Sequence, residues 1–442
     1  MKRKLLAAAF LFFFVSVQVH ALTLDEEQKY GREIFVEIAR SVKLYSDPYL
    51  PIQLSLVKER IESTTALPFP IKLTVIDSWS MDAFATMGGY VYVTNGLVSA
   101  CDREDEIAGV LSHEFGHVGR FHVSKRLEKE KSLSMVRLAA LFLSMVIPNP
   151  AVSGAVLSTG MAGAQTASLK YSREDENEAD STGVAIAERA GYSGVGTADF
   201  LKKLRLTGLE KTLPQYLLTH PYSDERIGRV EGMATTRKTS VDISLFPFII
   251  ARMTIVDRPF GSEIEDQWTR RYAKNPEDPV NIYGMALVLT LKGNSEQAIK
   301  MVQTMNSPHK ALFLGEIMVS ARRWGEAIRT LENESNPIAL FYLARAYEGA
   351  GDTARAARVL EGLTSHASTY PEIYQRLGMV LGRQGNQAGG YENLGRYYLG
   401  TGKEQQARTF LEKAVAEYGL NSTKGQELIA LLDSFKRDQS KK

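Results

Sequence analysis

The 442-residue chain is predicted to contain two kinds of fold: an α+β region, mostly helical with a small sheet, and then an all-α array of helical repeats. Three observations predict this arrangement. Residues 105–117 carry apolar side chains at helical spacing. Segments 70–76 and 88–94 have the composition of short strands. After residue 263, turns separate helical segments at recurring distances. The expected boundaries are 22–235 for the α+β region, 236–262 for a connector without a helical period, and 263–438 for the repeats.

The α+β region is expected to begin with a helix over residues 22–60, because apolar side chains recur there every four residues. Two strands follow, at 70–76 and 88–94. The sequence leaves two options for the second strand. As an edge strand, it would pair with the backbone of an extended peptide. As an internal strand, it would be covered on both sides.

The helix predicted over residues 105–117 contains His113-Glu114-Phe115-Gly116-His117, an H-E-x-x-H motif. Positions i and i+4 of a helix share one face, so the two histidines can bind one Zn²⁺ from the same side. Glu114 lies beside the first histidine and can act as general base toward a water molecule. The alternative is a chance match on an ordinary buried helix.

A catalytic zinc ion usually has three protein ligands, so the third must come from elsewhere in the chain. His122 is the nearest spare histidine, but Arg120 stands where a three-histidine motif has glycine, and His122 comes one residue early. The acidic segment 172–180 offers carboxylates on a second predicted helix. Asp180, one turn after Glu176, can orient a ligand histidine through a hydrogen bond. The alternative is a solvent-exposed acidic helix start.

These motifs resemble those of the M48 peptidases, a family of zinc endopeptidases, over roughly residues 25–230. The chain departs from the family pattern at Asp82, where the family has asparagine, and at Met87, where it has proline. Four segments carry the resemblance: the H-E-x-x-H motif, Ser172-Arg173-x-x-Glu176-x-x-Ala179-Asp180, the segment 82–93, and His220-Pro221 followed by Arg226-Ile227.

The resemblance implies a zincin-like domain that holds one Zn²⁺ per chain and hydrolyses peptide bonds. It implies that His113, His117 and Glu176 are the metal ligands, and that Glu114 is the catalytic base. With helical repeats behind this domain, the chain is similar to a periplasmic branch of the family.

The same resemblance places His220 near the metal, on a loop because Pro221 follows it. As a fourth ligand, His220 would close the coordination sphere, as in structural zinc sites. As a hydrogen-bond donor, it would stabilise the oxyanion of the reaction. If His220 moved between these two roles, it would gate the enzyme. The alternative interpretation is that His220 is a surface histidine at a turn, with no role in the site. Asp180 and Arg226 are assigned to the surroundings of the metal.

Residues 1–21 have the character of a signal peptide that is cleaved after Ala21, which predicts a periplasmic protein. The apolar run 5–17 is shorter than the roughly 20 residues of a membrane span, although an uncleaved anchor is the alternative. Removal of the three basic residues 2–4 takes the formal charge from +2 to −1, so no nucleic-acid partner is implied. Cys101 is the single cysteine and is expected to be a small buried residue.

Residues 133–169 are unusually apolar and rich in small side chains. Pro148 and Pro150 divide the interval into two halves, and neither half is a convincing membrane span. We expect two helices that pack against the catalytic helix, with a lid as one role. The alternative is a surface that contacts a membrane or a membrane-protein partner.

The repeat prediction depends on turns that align with one another. Their spacings are 29, 29, 34 and 17 residues, against about 34 for tetratricopeptide helix pairs, so the array is degenerate, with one unit halved. Such arrays bind proteins or peptides in a concave face, and a plain helical bundle is the alternative. The turns centre on positions 293, 322, 351, 385 and 402, and five residues after each stand Ala298, Ala327, Ala356, Gly390 and Ala407.

Two functions fit these observations. The first is an exported zinc endopeptidase that cleaves proteins, misfolded outer-membrane proteins among them, while the repeats recruit substrates or a protein partner. The second is a chaperone-like or scaffold protein of outer-membrane assembly with a silent or gated protease site. Because His113, Glu114, His117 and Glu176 are all present, the sequence favours the enzyme.

Overall fold

The computed structural model describes residues 22–129, 142, 170–210, 216–221 and 223–436. The predicted signal peptide and nearly all of the apolar interval 133–169 therefore lie outside the described residues. Phe142 is the exception, and its ring stacks on that of Phe84 with 5.0 Å between ring centroids. Within the described ranges, no helix is both long enough and apolar enough to cross a bilayer.

A three-stranded sheet lies among the helices of the first region. Its strands are β1 (Lys72–Ile76), β2 (Ala83–Ala85) and β3 (Tyr90–Thr94), and β3 is central, parallel to β1 and antiparallel to β2. The described helices of this region are α1 (Leu24–Ser41), α2 (Tyr49–Glu62), α3 (Asn95–Ser99), α4 (Glu104–Gly119), α5 (His122–Lys129), α6 (Arg173–Arg189), α7 (Gly196–Glu210), α8 (Tyr216–Thr219) and α9 (Asp224–Met233).

The strand predicted over residues 88–94 is the internal one, because β3 pairs on both of its sides. Gly88 and Gly89 precede it in a tight turn, with φ of 67° and 84°, a region that favours glycine. The edge strands are β1 and β2, and β2 packs beside α4.

The single helix predicted over residues 22–60 is wrong, because the structure has two helices with a break between Val42 and Pro48. Within the break, Leu44 forms an antiparallel bridge with Ile76 at the end of β1. Proline then starts α2, as expected for a residue that has no N–H to donate.

The connector predicted over residues 236–262 is also wrong in part, because it contains helix α10 (Phe246–Val256). The segment is apolar almost all round and largely buried, with Arg252 as its charged exception. A helix that is covered on every side shows no amphipathic period. The sequence therefore lacked the signal that would have predicted this helix.

From residue 262 onward the chain forms antiparallel helix pairs, as predicted. The five predicted turns all contain a residue with positive φ: Gly293 (82°), Arg322 (58°), Gly351 (80°), Gly385 (82°) and Gly402 (69°). The short interval between the last two turns is occupied by one helix, Gln387–Gly400. The helices are α11 (Ser262–Lys274), α12 (Pro279–Leu291), α13 (Ser295–Gln303), α14 (Lys310–Ser320), α15 (Trp324–Leu331), α16 (Pro337–Gly349), α17 (Thr353–Gly362), α18 (Glu372–Arg383), α19 (Gln387–Gly400), α20 (Glu404–Tyr418) and α21 (Thr423–Lys436).

The repeats pack directly against the first region, and one hydrophobic core runs through both. Helix α2 contacts α16 and the 3-10 turn at Thr364–Ser368. At the centre of this interface, Arg252 of α10 pairs with Asp47, at 2.7 Å, and with Glu316 of α14. Tyr49 of α2 donates its hydroxyl to the same Glu316 at 2.6 Å. The peptidase-like region therefore lies against the repeats through a buried polar cluster.

Candidate metal centre

Helix α4 positions the H-E-x-x-H motif inside the protein. His113, Glu114 and His117 are each at most 1% exposed. The Nε2 atoms of His113 and His117 lie 3.1 Å apart, as predicted for i and i+4 side chains on one helical face. Their inner nitrogens therefore point at a common site.

Helix α6 delivers the carboxylate predicted to complete this site. Ser172 caps the helix in a reciprocal capping box with Asp175, which fixes where the helix starts. Close packing on α4 requires glycines, since a Cβ at Gly116 would lie 2.9 Å from the backbone oxygen of Ala179. At this separation, Glu176 and Asp180 are the acids of the segment that turn inward, while those at 174 and 178 are exposed.

Glu176 reaches both histidines of the motif. Its Oε2 lies 3.6 Å from Nε2 of His113, and its Oε1 lies 3.6 Å from Nε2 of His117. His220, directly after α8, approaches the same point, with Nδ1 2.9 Å from Oε1 of Glu176. One donor atom from each of these four buried residues lies within 4.8 Å of the others.

This group of side chains fits a zinc ion. Ligands at about 2.1 Å from a tetrahedral zinc lie roughly 3.4 Å from one another, close to the separations found here. Burial lowers the pKa values of His113, His117 and His220, and for His117 the neighbouring histidines lower it further. Neutral imidazole is the form that offers a lone pair to a metal. Three imidazoles and one carboxylate are donor groups of the kinds that bind zinc in proteins.

Asp180 and Arg226 lie behind the ligands, where the sequence placed them. Asp180 is 3.0 Å from Nδ1 of His113, the nitrogen on the far side from the cluster. Burial alone would raise the pKa of Asp180, but contacts with His113 and Arg226 outweigh it and lower that pKa. Arg226 also lies 2.6 Å from Oε2 of Glu176. The arginine therefore ties two carboxylates of α6 into one fixed arrangement.

His122 has a position that sequence reasoning missed. It is not part of the four-residue group, in agreement with its exclusion as a ligand. Its Nδ1 instead lies 2.8 Å from Nδ1 of His117, and its Nε2 lies 3.4 Å from Glu178. His122 thus contacts the outer nitrogen of a predicted ligand, the same relation that Asp180 has to His113.

Two tyrosines of the site were also missed. Tyr171 stacks on His117 with 3.9 Å between ring centroids, and Tyr216 stacks on His220 with 4.5 Å. Their positions offered a weak signal, since one immediately precedes the acidic helix and the other lies four residues before His220. The hydroxyl of Tyr216 is buried and has no hydrogen-bond partner among the described residues.

Glu114 differs from the other acids of the site. Neither of its carboxylate oxygens makes a well-formed hydrogen bond in the described part of the chain, and only the backbone N–H of Ala85 lies close enough to favour its charged form. The nearest basic atom is Nε2 of His220, at 3.5 Å from Oε1. Burial raises the pKa of Glu114 well above its usual range, and the charges of Glu176 and Asp82 raise it further.

Comparison with known proteins agrees with this geometry. The model of peptidase family M48 matches residues 53–234, and a tetratricopeptide repeat matches residues 338–367. The chain is 25% identical to the beta-barrel assembly-enhancing protease of Yersinia pestis, covering 94% of this chain and 89% of that protein. The Escherichia coli (strain K12) protein of the same name is 24% identical, covering 95% of this chain and 90% of that protein.

A more distant relative covers mainly the peptidase region. The mitochondrial metalloendopeptidase OMA1 of Schizosaccharomyces pombe is 26% identical over 219 residues, which are 48% of this chain and 61% of that protein. The two matched regions coincide with the α+β region and with helices α16 and α17 of the repeats. The chain therefore contains a peptidase family M48 domain over residues 53–234, followed by tetratricopeptide-like helical repeats, and it is similar in sequence to metalloendopeptidases.

Proposed function

We propose that this protein is a zinc-dependent endopeptidase in which His113, His117 and Glu176 hold the metal and Glu114 is the general base. One observation carries the proposal: four buried donor atoms converge within 4.8 Å, beside the carboxylate of Glu114, which makes no well-formed hydrogen bond within the described residues. An uncompensated carboxylate costs stability, and active sites are where such groups are kept. The complete donor set disfavours the alternative of a silent protease site.

A bound zinc ion would polarise the scissile carbonyl and make water a better nucleophile. Glu114 accepts the proton from the attacking water and delivers it to the leaving amine. Asp180 holds His113 so that its Nε2 faces inward, and Arg226 fixes Asp180 and Glu176. These contacts keep the donor atoms from turning away when substrate binds.

Strand β2 is the proposed guide for the substrate backbone. Asp82 and Thr86 face β3, since Thr94 donates to the oxygen of Asp82 at 3.0 Å and Thr86 donates to that of Tyr90 at 2.8 Å. In an antiparallel pair the intervening residues direct their backbone groups to the other side, so Ala83 and Ala85 point away from β3, and the N–H of Ala85 lies close to Glu114. An extended peptide that pairs with this side of β2 would therefore pass beside the proposed general base. Backbone pairing would let the enzyme accept many sequences.

His220 is proposed as a removable fourth ligand. It is fully buried, and its Nδ1 is 3.3 Å from Nε2 of His113. A closed coordination sphere leaves no position for water, so this arrangement is an inactive state. When His220 moves away, a coordination position becomes open for water, and the imidazole of His220 becomes free to donate a hydrogen bond to the oxyanion of the reaction.

The predicted export fits a contact at the start of the described chain. The backbone nitrogen of Leu22 lies 2.9 Å from a carboxylate oxygen of Glu128 on α5. Cleavage after Ala21 would turn this nitrogen into an ammonium group, and the hydrogen bond into an ion pair. We therefore propose a periplasmic enzyme that acts in outer-membrane protein quality control, as the names of its relatives suggest, with the repeats recruiting substrates or partners. For the interval 133–169 the two roles predicted from the sequence, a lid or a membrane contact, stay proposals.

The metal assignment is tested by exchanging each acid of α6 for its amide. Glu176→Gln is expected to lower zinc content after dialysis by about tenfold or more, because one ligand is lost. Glu174→Gln and Glu178→Gln are matched controls on exposed positions of the same helix and should keep full zinc content. Equal zinc in all three variants would show that Glu176 is not a ligand. Casein hydrolysis measured on the same samples links metal content to activity.

A further inference from the structure

His122 is a buried histidine that the proposed mechanism does not use. It is the first residue of α5, and its side chain is 1% exposed. The residue before it, Phe121, has φ of 56°, a left-handed conformation that is costly for a residue with a Cβ and that glycine adopts freely. This turn reverses the chain, so that the start of α5 lies against His117 in the last turn of α4.

His122 contacts the outer nitrogen of His117. The Nδ1 atoms of the two rings lie 2.8 Å apart, which is a hydrogen-bond distance. Nε2 of His117 points the other way, to within 3.1 Å of Nε2 of His113. Because a hydrogen bond needs one hydrogen and one lone pair, one of the two Nδ1 atoms donates and the other accepts.

The acids of α6 indicate which ring donates. Nε2 of His122 lies 3.4 Å from a carboxylate oxygen of Glu178 and 3.7 Å from one of Asp175. A carboxylate accepts hydrogen bonds, so Nε2 of His122 carries a hydrogen, and Nδ1 of the neutral ring offers a lone pair. Nδ1 of His117 then donates, which leaves its Nε2 with the lone pair that a metal requires. Both acids lie partly in solvent, so the other acid or water covers the loss of either one.

The stacked tyrosine of the site does not select this arrangement by itself. The ring of Tyr171 covers His117 with 3.9 Å between centroids and 27° between ring planes. A half-turn of the imidazole about its Cβ–Cγ bond would keep the ring in the same plane, where it would stack equally well. That half-turn would carry Nδ1 of His117 away from His122 and break the hydrogen bond. The contact with His122 therefore fixes which nitrogen faces the other proposed ligands.

We propose that His122 is a positioning residue that holds His117 as the Nδ1–H tautomer, with its Nε2 directed at the metal. This inference rests on the proposed function, since it takes His117 as a ligand. An outer hydrogen bond of this kind contributes a factor of about 10 to 100 to metal affinity. In contrast to Asp180, which contacts His113, the imidazole of His122 adds no negative charge to the site.

The first test measures zinc affinity by competition with a chelator. His122→Leu removes the acceptor and is expected to raise the zinc dissociation constant by at least about tenfold. His122→Asn restores an acceptor oxygen near the place of Nδ1, so the constant should return to within about threefold of the original. His309→Leu is the control, because it removes a histidine of the repeats, directly before α14. Urea unfolding of the zinc-free proteins shows whether each variant is folded.

A further variant keeps this test decisive if His122→Leu does not fold. His122→Gln places its amide near the position of Nε2, where it reaches Glu178 but not His117. It should therefore lower zinc affinity as His122→Leu does, in contrast to His122→Asn. Equal zinc affinity in the unmodified protein and in a folded His122→Leu or His122→Gln variant overturns the inference.

The second test determines the tautomer in zinc-free protein, so its result does not depend on the metal. Imidazole nitrogen NMR shifts distinguish the Nδ1–H form from the Nε2–H form, and the signal that is lost in His117→Ala identifies His117. The Nδ1–H form is expected in the unmodified protein and in His122→Asn, with a shift toward the Nε2–H form in His122→Leu. The Nε2–H form in the unmodified protein overturns the inference. Failure of the unmodified protein to bind zinc, with the Nδ1–H form present, would instead contradict the proposed function.

Discussion

Two buried clusters of this molecule are built from the same side chains and differ in how completely they are paired. In the metal centre, Arg226 pairs with Asp180 and Glu176. At the interface with the repeats, Arg252 pairs with Asp47 and Glu316. Each arginine is almost fully buried, and each bridges two carboxylates.

The difference lies in the groups around each arginine. At the interface, the hydroxyls of Tyr49 and Tyr283 both donate to Glu316, at 2.6 and 3.2 Å. In the metal centre, Glu114 and the hydroxyl of Tyr216 have no hydrogen-bond partner among the described residues. A network that is fully satisfied holds two regions together, whereas a network with open positions is arranged for ligands.

The largest effect on activity is expected from Glu114→Gln, which changes the acid of the metal centre that makes no well-formed hydrogen bond within the described residues. Loss of the general base should lower casein hydrolysis by about 10²- to 10⁴-fold. Zinc content should not change, since Glu114 is not a proposed ligand, and the unfolding midpoint should be equal or higher because an uncompensated carboxylate is removed. Glu178→Gln serves as the control on an exposed residue.

Cleavage of casein by purified Glu114→Gln protein near the original rate would contradict the hypothesis that Glu114 is the general base. A large loss of stability in the same variant would be equally damaging. It would mean that Glu114 belongs to a structural network, like the one around Arg252.

A smaller effect, on stability and not on chemistry, is expected from Arg252→Leu. Removal of the arginine leaves Asp47 and Glu316 as buried charges without a cation, which should destabilise the protein by about 3–5 kcal/mol. Urea unfolding measures this change. Arg258→Leu is the matched control, because Arg258 is exposed near the end of the same helix and should change stability by less than about 0.5 kcal/mol.

Folded Arg252→Leu protein should bind zinc with unchanged stoichiometry, because the metal centre shares no residue with the interface cluster. An unchanged urea midpoint would show that the interface cluster does not hold the repeats against the peptidase domain. Loss of zinc from folded protein would show that the two clusters are coupled.

The convergence of His113 and His117 could be predicted from the sequence, because the two residues are separated by one helical turn. The choice of Glu176 as third ligand came from the family resemblance, and in the structure the side chain of Glu176 lies with the two histidines. Whether these residues bind zinc stays a prediction. The repeat turns were also predictable for a local reason, since positive φ favours glycine at four of the five.

Contacts between distant residues were not predictable. The interface cluster joins Asp47, Arg252 and Glu316, which no local period relates. Helix α10 was missed because it is buried on all sides. Helices α1 and α2 were merged because a strand-like bridge from Leu44 to Ile76 interrupts an otherwise continuous apolar pattern. In each case tertiary packing decides the local structure.

The last prediction concerns His220, the residue that closes the metal centre. His220 lies directly after the short helix α8, before Pro221. Its Nε2 has no hydrogen-bond partner within the described residues. His220→Ala should keep zinc, because three proposed ligands remain. Casein hydrolysis should rise by about tenfold, since the closed arrangement no longer competes with water and substrate. A fall of about 10²-fold would assign His220 to oxyanion stabilisation instead. His309→Ala, in the repeats, controls for loss of a histidine far from the metal, and an unchanged rate in both variants would leave His220 without either role.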